Sequence, residues 1–259
     1  MTIAERSTIW HAPPVDAVRR LIAEQIAPVA FLRAELLQRF APSVDAEAAG
    51  HRMRGGLPAL EPEAVIDAVR GRVTAYVRAC DAFEQATIAS LAEARTARIR
   101  RDRVGEHIEA WLRGDRLPRN GADRLGRVAA SFVAGCILEA ARLRLPEDLP
   151  VDRWTSGCCP HCGGQPDLAI VHEHGRELVC ARCNGSWHSV GSGCLGCGES
   201  RSPTLARIPS PIGYRLAICN SCGRYVKERD AGEDAIDPFL ERALTAQLDA
   251  AAEARGLRL

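Results

Sequence analysis

Four Cys-x-x-Cys pairs lie in a short central stretch of this chain: Cys159–Cys162, Cys180–Cys183, Cys194–Cys197 and Cys219–Cys222. Eight thiols in four like-built pairs are the ligand set of two tetrahedral four-thiolate metal sites. Each pair is followed by a residue suited to a left-handed backbone. Gly163, Gly198 and Gly223 fill that position in three pairs, and Asn184 fills it in the remaining one. A knuckle needs this conformation to aim two sulfurs and its own N–H groups at one ion. Pro160 pre-sets φ inside the first knuckle.

The gaps between pairs say how they combine. Seventeen residues separate Cys162 from Cys180 and twenty-one separate Cys197 from Cys219, each enough for two strands, whereas ten lie between Cys183 and Cys194. First with second and third with fourth therefore gives two consecutive ribbons, favoured over an interleaved cross-brace. An internal echo agrees: Arg-Glu-Leu-Val precedes Cys180 and Tyr-Arg-Leu-Ala-Ile precedes Cys219, with Trp187 and Tyr225 shortly after the second and fourth pairs. All-sulfur coordination suits zinc, the default, or iron, and spacing does not separate them. With every position taken by thiolate, metal-assisted hydrolysis has no open site.

The chain changes character near Pro146–Trp154. Before it, helical spacing runs through Val15–Phe40 (Val18, Leu21, Ile22, Phe31, Leu32, Leu36, Leu37), with Pro28 expected to divide or kink the run. Ala41–Glu61 reads as a connection. A long helical stretch is expected from Pro62 to about Arg98, a further helix at Val104–Leu112 ending near Gly114, and a central one through Leu125, Val128, Phe132, Cys136, Leu138 and Leu143 until Pro146. After Cys158 the period shortens: 167–172 and 176–179 flank Glu173-His174-Gly175, a hairpin signal. Phe239, Leu240, Leu244 and Leu248 return to helical spacing after Pro238. The fold class is α+β: a helical domain over 1–150, tandem four-cysteine ribbons over 155–229 and a C-terminal helix over 234–257.

Composition narrows the function classes. A formal net charge of +1 exerts no general pull on nucleic acid or anionic lipid. The ribbon region, 151–229, has nine basic against six acidic residues, and aromatics are 5% of the chain, a poor endowment for base stacking. Lys227 is the sole lysine among 34 basic residues, which reads as composition bias. No stretch of eighteen apolar residues and no secretory pattern at Met1–Trp10 occur, so the expected compartment is the cytoplasm, where thiols stay reduced and ligate metal. Cys80 and Cys136 read as buried small hydrophobes, Cys158 as a non-ligand neighbour, His161 and His188 as solvated or supporting groups, and His172 and His174 as exposed. No nucleotide-binding glycine loop, H-E-x-x-H or nucleophile elbow is present, so no catalytic residue is assigned.

At Cys159-Pro-His-Cys162-Gly-Gly-Gln-Pro166, Gly175-Arg176-Glu-Leu178-Val-Cys180-Ala-Arg-Cys183-Asn-Gly-Ser-Trp187-His188, Cys194-Leu-Gly-Cys197-Gly-Glu-Ser200 and Cys219-Asn-Ser-Cys222-Gly-Arg-Tyr225-Val-Lys227 the chain resembles the FdhE family of formate dehydrogenase accessory proteins. The order of four pairs with Trp-His between the second and third carries the resemblance, over about 155–250. It implies a cytoplasmic, non-enzymatic protein that assists maturation of a molybdenum- or tungsten-dependent respiratory formate dehydrogenase and contacts its catalytic subunit. It also implies rubredoxin-like iron binding at the eight cysteines. The segment Ser189–Gly193 departs from the family, which has a basic, more strand-like segment there. A nucleic-acid-binding zinc ribbon and a rubredoxin-like redox protein are the competing expectations.

Overall fold

A computed structural model describes residues 15–40, 51–54, 57–60, 62–70, 73–90, 99–115, 124–145, 154–191, 193–200, 205–210, 213–232 and 237–259. The connection expected at 41–50, the helical extension over 91–98 and the change of character over 146–153 lie outside them. One compact unit is built on 25–150 and takes in 160–164; the other is built on 165–259 and takes in 15–24 and 154–159.

The helical unit follows the apolar spacing. Helix α1, Val15–Phe40, runs unbroken through Pro28, which is exposed. Val29, Leu32, Leu36 and Phe40 are buried one turn apart, but Phe31, expected on the same stripe, is 74% exposed. The connection before Pro62 holds a two-stranded hairpin instead, β1 (His51–Arg54) with β2 (Leu57–Leu60), paired from His51↔Leu60 to Arg54↔Leu57. Gly55-Gly56 between them is a hairpin signal that the surrounding Pro and Gly residues conceal. The long stretch from Pro62 is two helices, α2 (Pro62–Arg70) and α3 (Val73–Ser90), with Gly71-Arg72 between them. Helix α4, Val104–Arg113, ends as expected on Gly114 in the left-handed conformation. Helix α5, Arg124–Arg142, packs on both α3 and α4. Its buried face is largely small (Ala129, Ala130, Ala134, Ala140, Ala141) with Val133 and Ile137 between, allowing close helix approach. Arg33 and Glu139 close an ion pair at 2.6 Å across this unit, and Phe83 packs on Phe132 with ring centroids 4.7 Å apart.

In the second unit the ribbons form one six-stranded sheet. Strands β3 (Pro166–His172), β4 (Gly175–Cys180) and β5 (Ser186–Ser189) make one antiparallel meander. Strands β6 (Leu205–Pro209), β7 (Arg215–Cys219) and β8 (Tyr225–Asp230) make the other. The order is β5-β4-β3-β8-β7-β6, and the halves join through the parallel pair β3·β8, from Leu168↔Lys227 to Val171↔Asp230. The third strand of the second ribbon is thus central, while its counterpart β5 is an edge.

The expected C-terminal helix is two short ones, α6 (Pro238–Leu244) and α7 (Ala246–Glu253). Asp237 caps α6 by accepting from the N–H of Phe239 at 2.8 Å, with Pro238 in the first turn. The break falls at fully buried Thr245, whose hydroxyl donates to the Glu241 carbonyl at 2.7 Å. Leu248 and Ala252 of α7 pack against Leu168, Val179, Tyr214, Leu216, Ile218 and Tyr225 of the sheet unit. Buried charges hold these helices in register. Glu241 takes the Arg229 guanidinium and the Tyr214 hydroxyl, and Asp249 accepts from Lys227 and from Tyr225, each at 2.8 Å. Leu248, 1% exposed, closes this core, so Leu248→Ala is expected to cost about 3 kcal/mol in urea unfolding; a loss below about 1 kcal/mol would show that α7 does not seal it.

Candidate metal centres

Each knuckle is a closed turn at a strand terminus. Cys180 ends β4 and Cys219 ends β7, so the hairpin that precedes each delivers the second pair of its ribbon to the first. The Gly198 N–H donates to the Cys194 carbonyl at 2.9 Å and the Gly223 N–H to the Cys219 carbonyl at 2.8 Å. Gly163, Gly198 and Gly223 have φ of 72°, 76° and 69°, and Asn184 has φ of 54°, the sole non-Gly positive φ among the described residues. The four positions chosen from sequence for this conformation all adopt it.

The sulfurs group consecutively. Cys159, Cys162, Cys180 and Cys183 form one set, Cys194, Cys197, Cys219 and Cys222 the other, and within each set the sulfurs lie within 4.8 Å of one another. Across the knuckles the Sγ separations are 3.6 Å for Cys159–Cys183, Cys194–Cys222 and Cys197–Cys219. A tetrahedral ion with metal–sulfur bonds of about 2.3 Å needs sulfurs about 3.8 Å apart. The donor set and its spacing fit such an ion, and none of the eleven cysteines is in a disulfide. Backbone N–H groups aim at the sulfurs as the knuckle requires: Arg182 N–H to Cys180 Sγ at 3.4 Å and Gly196 N–H to Cys194 Sγ at 3.3 Å.

The two groups differ in surroundings. All four cysteines of the first are buried; in the second Cys219 is buried, Cys194 and Cys222 are half-buried and Cys197 is exposed. Burial pushes the Cys222 thiol up to about 12. Burial acts the same way on Cys219, but the N–H groups of Cys222 and Ser221 bring it down to about 7. The first group is braced from α6. The Arg242 guanidinium forks onto Asp167 at 2.7 and 2.8 Å, donates to the Cys180 carbonyl at 2.8 Å and bonds the Asn184 side chain. Arg258 serves the second, donating to the Cys222 carbonyl at 3.2 Å. Neither arginine stood out in the sequence, because its partners are 58 or more residues distant for Arg242 and 36 for Arg258.

The remaining candidates fall outside both groups. Cys158 contacts Ser156 Oγ at 3.1 Å. Cys80 and Cys136 are buried in the helical unit, and burial pushes both thiols up to about 12. His161, expected to be solvated or supporting, is buried, and its carbonyl accepts the Leu60 N–H at 2.7 Å. His172, His174 and His188 are exposed. The cavity beside Cys194 and Cys219, lined also by Arg176, Arg207 and Arg224, is about 40 Å³, room for water-sized guests.

No family model matches the chain. A curated FdhE homologue of Shewanella oneidensis is 26% identical over 104 residues, 38% of this chain and 34% of that protein. An FdhE homologue of Shewanella baltica is 25% identical over 104 residues, 38% and 35% of the two chains. The match thus spans about a third of the length of these relatives. Among solved structures, the FdhE protein from Pseudomonas aeruginosa covers 96% of this chain and 95% of its own, at 21% identity and a TM-score of 0.44. The curated sequences to which the chain is similar are FdhE homologues, the family that its cysteine knuckles resemble.

Two measurements test the site. Cys180→Ser is expected to lose one of two metal equivalents by elemental analysis and to lower the melting temperature, because a three-thiolate site loses charge and geometry together. Retention of both would refute the ligand assignment. Gly198→Ala meets no atom within 4 Å, so its expected cost of about 1 kcal/mol is backbone strain alone, read as a drop in unfolding midpoint.

Proposed function

We propose that this chain is an accessory protein in the formation of a molybdenum- or tungsten-dependent formate dehydrogenase, acting in the cytoplasm on the catalytic subunit without catalysing a reaction of its own. The observation that carries the reading is the pairing of two consecutive four-thiol groups with similarity to curated FdhE homologues. Cys159, Cys162, Cys180 and Cys183 would hold one ion, and Cys194, Cys197, Cys219 and Cys222 the other. As zinc these ions lock the knuckles; as iron they add a one-electron couple. The domain parts we assign are a helical region over 1–150, ribbons over 155–229 and a helical C-terminal segment over 234–257, with ribbons and helices together presenting the surface for the client.

Two features argue against nucleic acid as the partner. The aromatic residues of the ribbons that could stack on bases, Trp187, Tyr214 and Tyr225, are all buried, at 3% exposure or less. Many of the basic residues there are spent on carboxylates: Arg176, Arg207 and Arg215 all reach the buried Glu228, and Arg215 also pairs with Asp230. The rubredoxin-like alternative is favoured by one observation, the exposure of Cys197 in the second group.

Deleting the gene is expected to abolish respiratory formate oxidation, and the tagged chain is expected to retain the catalytic subunit in a pull-down from cells expressing both. A fully matured, active enzyme in the deletion strain would overturn the proposal. The visible spectrum of aerobically purified protein decides the metal, since ferric thiolate absorbs and zinc thiolate is colourless.

A further inference from the structure

The ribbon that carries the first thiol group ends on β5, an edge strand of the sheet among the described residues. Strand β5 alternates as a half-buried strand does, with Trp187 turned in and Ser186 and His188 turned out to solvent. The register sets Ile170 of β3 opposite Glu177 of β4, and Glu177 opposite His188 of β5. His172 lies two residues beyond Ile170 and therefore on the same face. Two imidazoles thus flank one carboxylate across three strands. His172 Nε2 is 3.8 Å from Glu177 Oε2, and the His172 and His188 rings have centroids 6.4 Å apart at 62°. The side chains are open to water: His172 is 43% exposed, Glu177 30%, and His188 is exposed.

We propose that His172, Glu177 and His188 form a third metal site, taking an exchangeable divalent first-row transition-metal ion and separate from both cysteine groups. Two imidazole nitrogens and one carboxylate oxygen are a donor set of borderline softness that suits zinc, cobalt, nickel or copper better than calcium or magnesium. Imidazole–metal bonds of about 2.0–2.1 Å require donor atoms about 3–3.5 Å apart. His172 and Glu177 are already close to that spacing. The three donor atoms are not gathered within 4.8 Å of one another in this arrangement, so His188 must rotate about its own side-chain bonds to close the set, a motion open to an exposed residue, while the ladder keeps the three backbones in register. Glu177 supplies one negative charge to the incoming cation. Three protein donors leave coordination positions to water, so the ion exchanges, in contrast to one enclosed by four thiolates. His174 and Glu173, at the tip of the same hairpin and almost fully exposed, stand outside the cross-strand row.

The test uses the full chain with the metal content of its thiolate groups counted beforehand. Calorimetric titration with Ni²⁺ or Co²⁺ near pH 7.5 is expected to show one further saturable equivalent. His172→Ala, Glu177→Gln and His188→Ala should each weaken it by roughly tenfold or more. His174→Ala should leave it unchanged. All four positions are solvent-facing, and an unaltered melting curve before titration verifies folding. Cu²⁺ bound to the wild-type chain is expected to show two nitrogen ligands by electron paramagnetic resonance, reduced to one in His188→Ala. Absence of the further equivalent, its persistence in the His172→Ala/His188→Ala double variant, or its loss in His174→Ala would each overturn the assignment. The readout is independent of formate dehydrogenase, so it stands or falls apart from the proposed accessory role.

Discussion

Four sulfurs from two distant turns must meet at one point, and the C-terminal half is organised by that demand. Thiolates brought to 3.6 Å repel one another unless an ion neutralises them, so ion binding and folding of the ribbons are expected to be coupled. A chain that leaves one knuckle and must return to it after about twenty residues has a simple solution, two antiparallel strands. Both ribbons adopt it, and the left-handed residue after each pair turns the backbone so that the sulfurs converge.

The ribbons contribute Leu168, Val179, Tyr214, Leu216, Ile218 and Tyr225 to a core that the C-terminal helices close with Leu248 and Ala252. Their seating is set by buried charge as much as by apolar contact. Lys227, at 1% exposure, lies 2.8 Å from Asp249 and 3.7 Å from Asp167, and Asp167 in turn receives Arg242. Buried ion pairs repay their desolvation poorly, but a misplaced partner leaves an uncompensated charge. Such a network therefore admits one placement of α6 and α7. Because Arg242 also holds the Cys180 carbonyl and the Asn184 side chain, that placement and the second knuckle are linked.

Joining the ribbons through β3·β8 makes them unequal. Strand β8 lies between β3 and β7, whereas β5, its counterpart, is an edge strand among the described residues, with His188 outward. The thiol groups are unequal too, the first buried and the second reaching solvent at Cys197. A repeated sequence unit has been given two environments.

Much of the site was legible in the sequence. Spacing identified the eight cysteines, their consecutive grouping, the hairpin between the first two pairs and the four left-handed positions, all of which depend on residues close in the chain. The capped ends at Gly114 and Pro238 were legible for the same reason. Other features were not. The hairpin at His51–Leu60 is short, its signal concealed by the surrounding Pro and Gly residues, and the helical spacing from Pro62 does not distinguish the separate helices Pro62–Arg70 and Val73–Ser90. The break at Thr245 depends on a buried hydroxyl, and the burial of Lys227 in an ion pair depends on Asp249, 22 residues away. Local geometry and ligand chemistry are written in nearest neighbours, so the sequence by itself determined the knuckles and the thiol sets that could hold a metal ion. Which strand pairs with which, which centre is buried and which arginine braces it depend on contacts between residues tens of positions apart, and only the tertiary structure decided those.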